Sequence, residues 1–401
     1  METMSRILLT ASLKWPAAAR LAGAFAALGA EVEAFVPRGH AIAASRHVAR
    51  LHIYQPLSAL SGLRRAIESA KPDFIVPCDD RAVRHLLALR EIAPSLAPMI
   101  EHSLGRPEFY AQMFSRCAFL NAAREEGIRV PHTIAVGDER ELNSALSQVG
   151  FPAVLKADGT WGGDGVAILY NREQAKEAWR RLADAPSRFL SLARAAKRKD
   201  THHLLAALHR ARPAMSVQRF IAGKPATSAI ACRDGKVLAA IHMDVVQMHG
   251  ETGHASVIRR VDCPEMERAA RLIAARFRLS GLHGLDYMRD SEGMHLLEIN
   301  PRATQICHLA LGEGRDLLAV LLGAQARAPI TQSDLIALFP QEWKRDAQSA
   351  WLECAFRDVP MDDPDLIAAL LPAPAPRAAR FQLRAGKPGK VSLTILKGNG
   401  R

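Results

Sequence analysis

The amino-acid sequence predicts a mixed α/β and α+β fold built from more than one domain. Over roughly the first hundred residues, short apolar stretches alternate with helical ones, which is typical of a parallel α/β layer. Further along, a strand, a glycine-rich loop, a second strand and a helix succeed each other, as in an α+β region. Because 401 residues exceed what a single hydrophobic core usually serves, two or three domains are expected.

The N-terminal layer is predicted from three strands and two helices. The strands lie at residues 6–10, 31–36 and 73–77, and the helices at 17–28 and 57–70. Asp79 and Asp80 follow the third strand, where open α/β sheets place ligand-facing loops. A capped turn into the next helix is at least an equal alternative for these two residues.

Composition and charge favour acidic partners. Lys and Arg total 53 against 41 Asp and Glu, which gives a formal charge of +12. That balance suits nucleotide phosphates, carboxylate substrates, nucleic acid or an anionic membrane. Aromatic residues make up only 5% and follow no basic stripe, which argues against nucleic-acid binding.

Cysteine spacing and hydropathy indicate the compartment. The six cysteines lie far apart without a metal or disulfide spacing, which fits a reducing cytoplasm. Neither a signal peptide nor a membrane span is expected, because charged residues interrupt the alanine-rich stretch after Trp15. A basic insert at 186–213 is interpreted as a solvated helix face, with a partner-binding or membrane-binding surface as the alternative.

A glycine-rich loop follows a strand that ends at Lys156. The loop contains Gly159, Gly162, Gly163 and Gly165 and leads into a second strand. Glycine allows positive φ angles and lets backbone N–H groups approach phosphate oxygens, while the lysine adds a mobile charge. Neither the dinucleotide-binding nor the P-loop spacing is present. The loop predicts a phosphate cradle, and a plain hairpin turn is the alternative.

A second motif, at residues 284–302, predicts an acidic β-hairpin. A three-residue loop with glycine at its left-handed position would place Asp290 opposite Met294. The same register pairs Asp286 with Glu298 across neighbouring strands, with Cβ atoms about 5 Å apart.

The alternation of side chains in this hairpin predicts a metal site. Asn300 shares a face with Glu298, whereas Leu297 and Ile299 point into apolar packing on the other face. Facing carboxylates repel unless a cation neutralises them, and hard divalent cations prefer oxygen ligands. We therefore predict magnesium at Asp286, Glu298 and Asn300, and exclude zinc because histidine and cysteine ligands are missing. The alternative is a solvated hairpin whose carboxylates point to water.

Arg302 lies just beyond the acidic pair in the sequence. A guanidinium at this position can hold phosphate or carboxylate oxygens as charge develops during group transfer. A surface salt bridge is the alternative.

Taken in order, the lysine and glycine loop, the strand Ser-Val-Gln-Arg-Phe-Ile-Ala-Gly at 216–223 and the hairpin ending in Glu-Ile-Asn-Pro-Arg resemble the ATP-grasp superfamily. The similarity spans roughly residues 1–325 and points to carboxylate–amine ligases and to the carbamoyl-phosphate synthetase and biotin carboxylase branch. It implies an N-terminal pre-ATP-grasp domain, a two-subdomain ATP-grasp fold with a lid at about 128–217, and a small C-terminal extension. The implied domains are residues 1–105, 106–330 and 331–401.

The resemblance also implies how ATP would be bound. Lys156 and Arg116 contact the phosphates, and the glycine loop is a lid over them. The backbone of a hinge strand hydrogen-bonds the adenine, and the hinge residues are Gln218, Arg219, Phe220 and Ile221. Two features depart from the family pattern: Arg116 replaces a lysine, and residues 223–227 lack the acidic residue that often holds the ribose.

The implied reaction activates a small-molecule carboxylate as an acyl phosphate, which an amine or amino acid then captures. Asp286, Glu298 and Asn300 are implied to bind two magnesium ions, with manganese as an alternative. Arg302 is implied to contact the transferred phosphoryl group or its acceptor. A homodimer through the N-terminal layer is also implied, and a nucleic-acid partner is not.

Two other functions stay open on the sequence. In the first, the acceptor is a protein or peptide whose acidic tail docks on the basic insert. In the second, the chain is a non-catalytic nucleotide-binding regulator. Candidate acceptor-side groups, each with a structural role as the alternative, are His249, His254, His308, Glu251 and Arg260.

Overall fold

The computed structural model describes residues 4–159, 165–183, 213–250, 253–371, 379–383 and 393–397. The predicted lid glycines Gly162 and Gly163, the basic insert up to residue 212, and Glu251 lie outside these residues. Within the described ranges, no helix combines the length and the apolar character that crossing a bilayer requires.

The N-terminal part of the chain forms a parallel sheet of four strands, which confirms the predicted α/β layer. The strands are β1 (Arg6–Thr10), β2 (Glu31–Pro37), β3 (Arg50–Tyr54) and β4 (Phe74–Pro77), in the order β3-β2-β1-β4. The helices are α1 (Ala17–Ala26), α2 (Ala59–Ala70), α3 (Asp80–Ile92) and α4 (Ala97–Leu104). The apolar central strands are buried on both faces, as parallel sheets require. β3 has no counterpart among the predicted strands because it is an edge strand with Leu51 and Ile53 partly exposed.

A second sheet, which we call the small sheet, has four antiparallel strands. Two helices precede it, α5 (Tyr110–Phe114) and α6 (Arg116–Glu125). Its elements are β5 (Thr133–Val136), α7 (Glu139–Val149), β6 (Ala153–Ala157), β7 (Val166–Leu169), α8 (Arg172–Ala183) and β8 (Met215–Arg219), and the strand order is β5-β8-β6-β7. The Asp138 carboxylate accepts from the Glu141 N–H (2.7 Å) and so caps α7.

The third sheet, the large sheet, has seven strands. Its elements are β9 (Lys224–Arg233), β10 (Lys236–Met248), β11 (Ala255–Arg260), α9 (Pro264–Arg276), β12 (Gly281–Asp290), β13 (Gly293–Asn300), α10 (Leu317–Leu322), β14 (Leu335–Leu338), α11 (Gln341–Arg345), α12 (Trp351–Cys354), β15 (Phe356–Asp358) and α13 (Pro364–Leu370). The strand order is β13-β12-β9-β10-β11-β14-β15, so the chain beyond residue 330 contributes its last two strands. A separate pair of strands is formed by β16 (Ala379–Leu383) and β17 (Leu393–Lys397).

The N-terminal layer and the large sheet share their hydrophobic core. One cluster of buried side chains joins Leu9 of β1 to Ile258 of β11, and another joins Leu86 of α3 to Leu285 of β12. The small sheet packs around a cluster of its own, which includes Trp179. The small sheet is therefore a distinct body, linked to the rest by the chain before β5 and after β8. The domain boundaries at residues 105 and 330 stay predictions.

Candidate active site

A cleft of about 1240 Å³ lies among the three sheets. Its walls come from loops after the N-terminal strands, the ends of β6 and β7, the link after β8, and the β12–β13 hairpin. It collects the predicted and described site residues Arg116, Lys156, Gly159, Gln218, Arg219, Phe220, Ile221, Asp286, Glu298, Asn300 and Arg302. Gly165 is not part of the lining, because it belongs to the β6–β7 hairpin, where its carbonyl accepts from the Ala157 N–H (2.8 Å).

The turn of the β12–β13 hairpin differs from the predicted one. Asp290 pairs with Gly293, so the connecting loop has two residues rather than three. The predicted pairing of Asp290 with Met294 is wrong, since Met294 pairs with Arg289.

A β-bulge at Leu297 restores the predicted pairing of the two carboxylates. Tyr287 pairs with Leu296, and the next pair along the ladder is Asp286 with Glu298. If the ladder continued regularly from the turn, Leu297 would pair with Asp286. Bulges commonly re-aim side chains beside functional sites. The predicted pairing of Asp286 with Glu298 is confirmed, but Leu297 is half-buried and lines the cleft, and Leu296 takes the buried position.

The Asp286 carboxylate is fixed by neutral hydrogen-bond donors. Thr227 Oγ1 donates to its Oδ1 (2.8 Å), and Asn300 Nδ2 donates to its Oδ2 (2.8 Å). Burial and the nearby Glu298 carboxylate raise the pKa of Asp286 above its usual range. A pair of close carboxylates with an amide oxygen beside them is a set of donors that fits a hard divalent cation.

Arg116 joins the acidic hairpin to the small sheet. Its Nη1 donates to Asp158 Oδ1 (2.6 Å) and its Nη2 to Glu298 Oε2 (2.8 Å). Burial opposes ionisation of Glu298, but Arg116 and Lys156 outweigh it and hold the pKa of that carboxyl below its usual range. The Arg116 Nε atom is buried and has no hydrogen-bond partner within the described ranges. This donor is suited to a phosphate oxygen.

Lys156 lies near the end of β6, where it pairs with Val166 of β7. The lysine is only 7% exposed, and burial lowers its pKa to about 8 although Glu298 favours the charged form. Its ammonium group is poorly solvated, so an anion in the cleft would stabilise it strongly. The strand therefore places a cation beside the acidic pair.

Arg302 is held by both the hairpin and the N-terminal layer. Its Nε donates to Asp80 Oδ1 (2.8 Å), and its Nη2 donates to Asn300 Oδ1 (3.0 Å). The Arg302 side chain is 16% exposed, so the pair is not a surface salt bridge. Asp79 has a different role: it caps α3 by accepting from the Ala82 N–H (2.8 Å). The capped-turn alternative is thus confirmed for Asp79, while Asp80 orients Arg302.

The predicted hinge strand ends earlier than expected. β8 ends at Arg219, whose N–H donates to the carbonyl just before β5 (2.8 Å). The buried Gln218 side chain donates to Thr133 Oγ1 (3.0 Å). Both residues are therefore bound within the small sheet, and the backbone of Phe220 and Ile221 is the part of the hinge that lies beyond the strand and lines the cleft.

The candidate acceptor-side residues have different surroundings. His308 is buried, with its Nε2 in a hydrogen bond to Asp358 (2.7 Å), and Arg260 forms an ion pair with Asp334, just before β14. For both residues, these contacts fit a structural role rather than an acceptor-side one. His254 lines the cleft, and its ring stacks with that of His249 at 5.6 Å between centroids.

Asp158 and Thr227 contact the site residues but were not predicted. Asp158 lies in the glycine loop, where an aspartate is typical of a turn, and its contact with Arg116 joins distant parts of the sequence. Thr227 lies in the segment noted only for lacking an acidic residue, and the only available signal was its strand position opposite Asp286.

Known proteins are similar in sequence to parts of this chain. The ATP-grasp domain family matches residues 193–305. The carbamoyl phosphate synthase large chain of Vibrio cholerae is 28% identical over 124 residues, which is 30% of this chain and 12% of that protein. That of Pseudomonas putida is 33% identical over 69 residues, 17% of this chain and 6% of that protein. The alignments thus span only a small part of these relatives.

Solved structures resemble most of the chain. N5-carboxyaminoimidazole synthetase from Staphylococcus aureus, complexed with ADP, has a TM-score of 0.59 at 12% identity, over 82% of this chain and 80% of that one. The biotin carboxylase domain of a Hydrogenobacter thermophilus 2-oxoglutarate carboxylase, with MgADP and bicarbonate, has a TM-score of 0.56 at 14% identity, over 82% and 72%. These structural similarities show that most of the chain shares its fold with these proteins.

Residues 193–305 therefore match an ATP-grasp domain, and most of the chain has the fold of these solved structures, in agreement with the resemblance that the motifs carry.

Proposed function

We propose that this chain is an ATP-dependent ligase that converts a carboxylate into an acyl phosphate and joins the acyl group to an amine. One observation carries the proposal: Asp286 and Glu298 face each other in the cleft, with Lys156 and Arg116 close enough to shift the pKa of Glu298. Opposite charges arranged in this way suit a magnesium nucleotide, whose phosphates need cations and whose metal needs carboxylates.

The residues that would hold the nucleotide come from both sides of the cleft. Lys156 and the Nε of Arg116 supply positive donors for phosphate oxygens. The backbone of Phe220 and Ile221 would hydrogen-bond the adenine, and the base would lie among apolar side chains that line the cleft, including those of Val154, Ile168 and Leu297. These contacts would position the γ-phosphoryl group rather than react with it.

Asp286, Glu298 and Asn300 would hold magnesium, and the donor set fits it. When bound, the ion neutralises charge on the β- and γ-phosphates. Because Arg116 now pairs with Glu298, cation binding and this ion pair compete for the same carboxylate. The presence of two ions, the use of manganese and a homodimer stay predictions.

In the proposed reaction, a substrate carboxylate oxygen attacks the γ-phosphorus, the bond to the β–γ bridging oxygen breaks, and ADP leaves. The amine then attacks the acyl carbon, loses a proton, and displaces phosphate. Arg302, which donates to Asp80 on the N-terminal side, would contact the phosphoryl group or the carboxylate. Closure of the cleft would exclude water from the acyl phosphate.

Trapping with hydroxylamine tests the proposal. The protein is incubated with Mg-ATP, hydroxylamine and a panel of carboxylates, and hydroxamate and ADP are measured together. We expect equal amounts of both products with the correct carboxylate, and neither product when ATP is omitted. Failure to bind Mg-ATP in calorimetry would refute the proposal. Binding without ADP release across the panel would favour the regulator, and a hydroxamate formed only on acidic peptides would favour the modifying ligase.

A further inference from the structure

The N-terminal side of the cleft carries four basic side chains that the proposed ATP site does not use. They come from the loops after β1 and β2 and from the first turns of α3, and all of them line the cleft. We call this group the cationic wall, which consists of Lys14, Arg38, Arg81 and Arg84. The wall lies at the carboxyl ends of the parallel strands, where open α/β sheets bind ligands.

Two loops bring Lys14 and Arg38 together. The loop after β1 is fixed by Asp79, which accepts from the backbone N–H groups of Ser12 (2.6 Å) and Leu13 (3.1 Å). In that conformation, the Lys14 ammonium lies 3.2 Å from the point where a Cβ on Gly39 would be. The ammonium therefore sits against the residue that follows Arg38.

The first turns of α3 add two more cations. Arg81 and Arg84 are three residues apart and so lie on one face of the helix. The Arg84 guanidinium carbon is 3.9 Å from the centre of the Phe114 ring, which orients the planar group. Arg84 lies near the positive end of the helix, so a bound anion would stabilise its charge.

The two acidic residues that follow β4 are held by groups other than Lys14 and Arg38. Asp79 already accepts four hydrogen bonds, from the N–H and hydroxyl of Ser12 and the N–H groups of Leu13 and Ala82. Asp80 is paired with Arg302 (2.8 Å). The described contacts of Asp79 and Asp80 therefore go to groups other than Lys14, Arg38 and Arg84.

We propose that the cationic wall binds a second acidic group of the substrate, so that the substrate is a small molecule with at least two acidic groups. The proposal rests on the proposed function and names its substrate class. Asp80 links the wall to the reaction centre, because it follows the cap of α3, holds Arg302 and precedes Arg81. A substrate whose reacting carboxylate is near Arg302 would extend its other group, a phosphate or a carboxylate, toward Lys14 and Arg38.

Calorimetric titration of the full chain, saturated with MgADP, tests this proposal with matched probes. Succinate is compared with butyrate, and 3-phosphoglycerate with glycerate. In each pair, we expect the probe with the additional acidic group to bind at least about tenfold more tightly, since charge-assisted hydrogen bonds contribute that much. The pair with the larger preference identifies carboxylate or phosphate as the second group.

Two variants test whether the cationic wall causes this preference for the probe with the additional acidic group. In the double variant Lys14→Gln with Arg38→Gln, the preference should fall to about twofold or less. In the control Arg64→Gln, which changes an exposed arginine on α2, it should persist. Absence of any preference, or a preference that the double variant keeps, would overturn the proposal. MgADP binding, measured on the same samples, reports separately on folding and on the nucleotide site, so that its failure would count against the proposed function instead.

Discussion

The acidic and cationic halves of the candidate site are built in different ways. Asp286 and Glu298 lie on adjacent strands of one hairpin, and the ladder between those strands sets their separation. Lys156 comes from β6 of the small sheet, whereas Arg116 begins α6, whose Phe119 and Leu120 pack in the core cluster of the hairpin. The acidic half is therefore local, whereas the cationic half combines one residue from that core with Lys156, whose place depends on a separate body.

The two halves meet at one side chain. Arg116 contacts Asp158 on the small sheet and Glu298 on the large sheet. With nucleotide and metal bound, Arg116 would contact phosphate oxygens and Glu298 would bind the metal. Substitutions on the two sides should therefore have different effects: loss of chemistry on the acidic side, and loss of affinity or of closure on the cationic side.

The largest effect is expected for Glu298→Gln. Removing this charge should lower the rate of ADP formation by on the order of 100-fold to 1000-fold, because electrostatic stabilisation at the reacting phosphates is lost. The rate is measured by a coupled ADP assay with circular dichroism to verify the fold. The matched control Glu292→Gln changes an exposed residue at the tip of the same hairpin and should leave the rate unchanged. Near-normal turnover in Glu298→Gln would remove the metal assignment.

The affinity for Mg-ATP should depend on pH because of Lys156 in the cationic half. Burial lowers the pKa of Lys156 to about 8, so the ammonium is present below that pH and lost above it. The affinity for Mg-ATP should therefore fall as pH rises through 8, by up to about tenfold per pH unit. Calorimetry at several pH values measures it.

Two variants test whether Lys156 is the group responsible. Lys156→Arg keeps its charge over this range and should flatten the profile. Lys176→Arg, an exposed change on α8, should preserve it. A profile that stays steep in Lys156→Arg would assign the titration to another group.

The smallest effect is expected for Asp158→Asn. The amide oxygen can still accept from Arg116, and burial raises the pKa of the Asp158 carboxyl above its usual range, so its charge adds little and the free energy of unfolding should fall by about 1 kcal/mol or less. Denaturant unfolding of the ligand-free protein measures this change. The control Asp334→Asn breaks a pair whose acid is 60% exposed and should have almost no effect. If both variants lose the same stability, Asp158 does not join the two halves.

Residue alternation and motif order were sufficient to predict the acidic half. Asp286, Glu298 and Asn300 lie close in sequence, so the period of a strand relates them directly. The bulge could not be predicted, because nothing in the residue types around Leu297 distinguishes it from a regular strand. Two errors in the predicted register, one at the turn and one at the bulge, cancelled at the carboxylate pair.

The other half of the site shows where sequence patterns fail. Lys156 was found because a glycine loop follows it, but the partnership of Arg116 with Asp158 links residues that no period relates. Likewise, the α/β layer followed from its buried strands, whereas β3 was missed because an edge strand lacks a continuous apolar run. The cationic wall is assembled from two loops and the first turns of α3, so folding alone brings its members together.

The bulge at Leu297 has a consequence for changes in chain length. It is a position at which the hairpin can lose one residue and keep the pairings on both sides, since Glu298 would follow Leu296 and still pair with Asp286. A single deletion elsewhere in β13 would reverse the faces of the side chains on one side of it. When this hairpin is aligned with one that is a residue shorter and has a regular ladder, the gap therefore belongs at Leu297. A relative with the shorter hairpin would retain the same carboxylate pair.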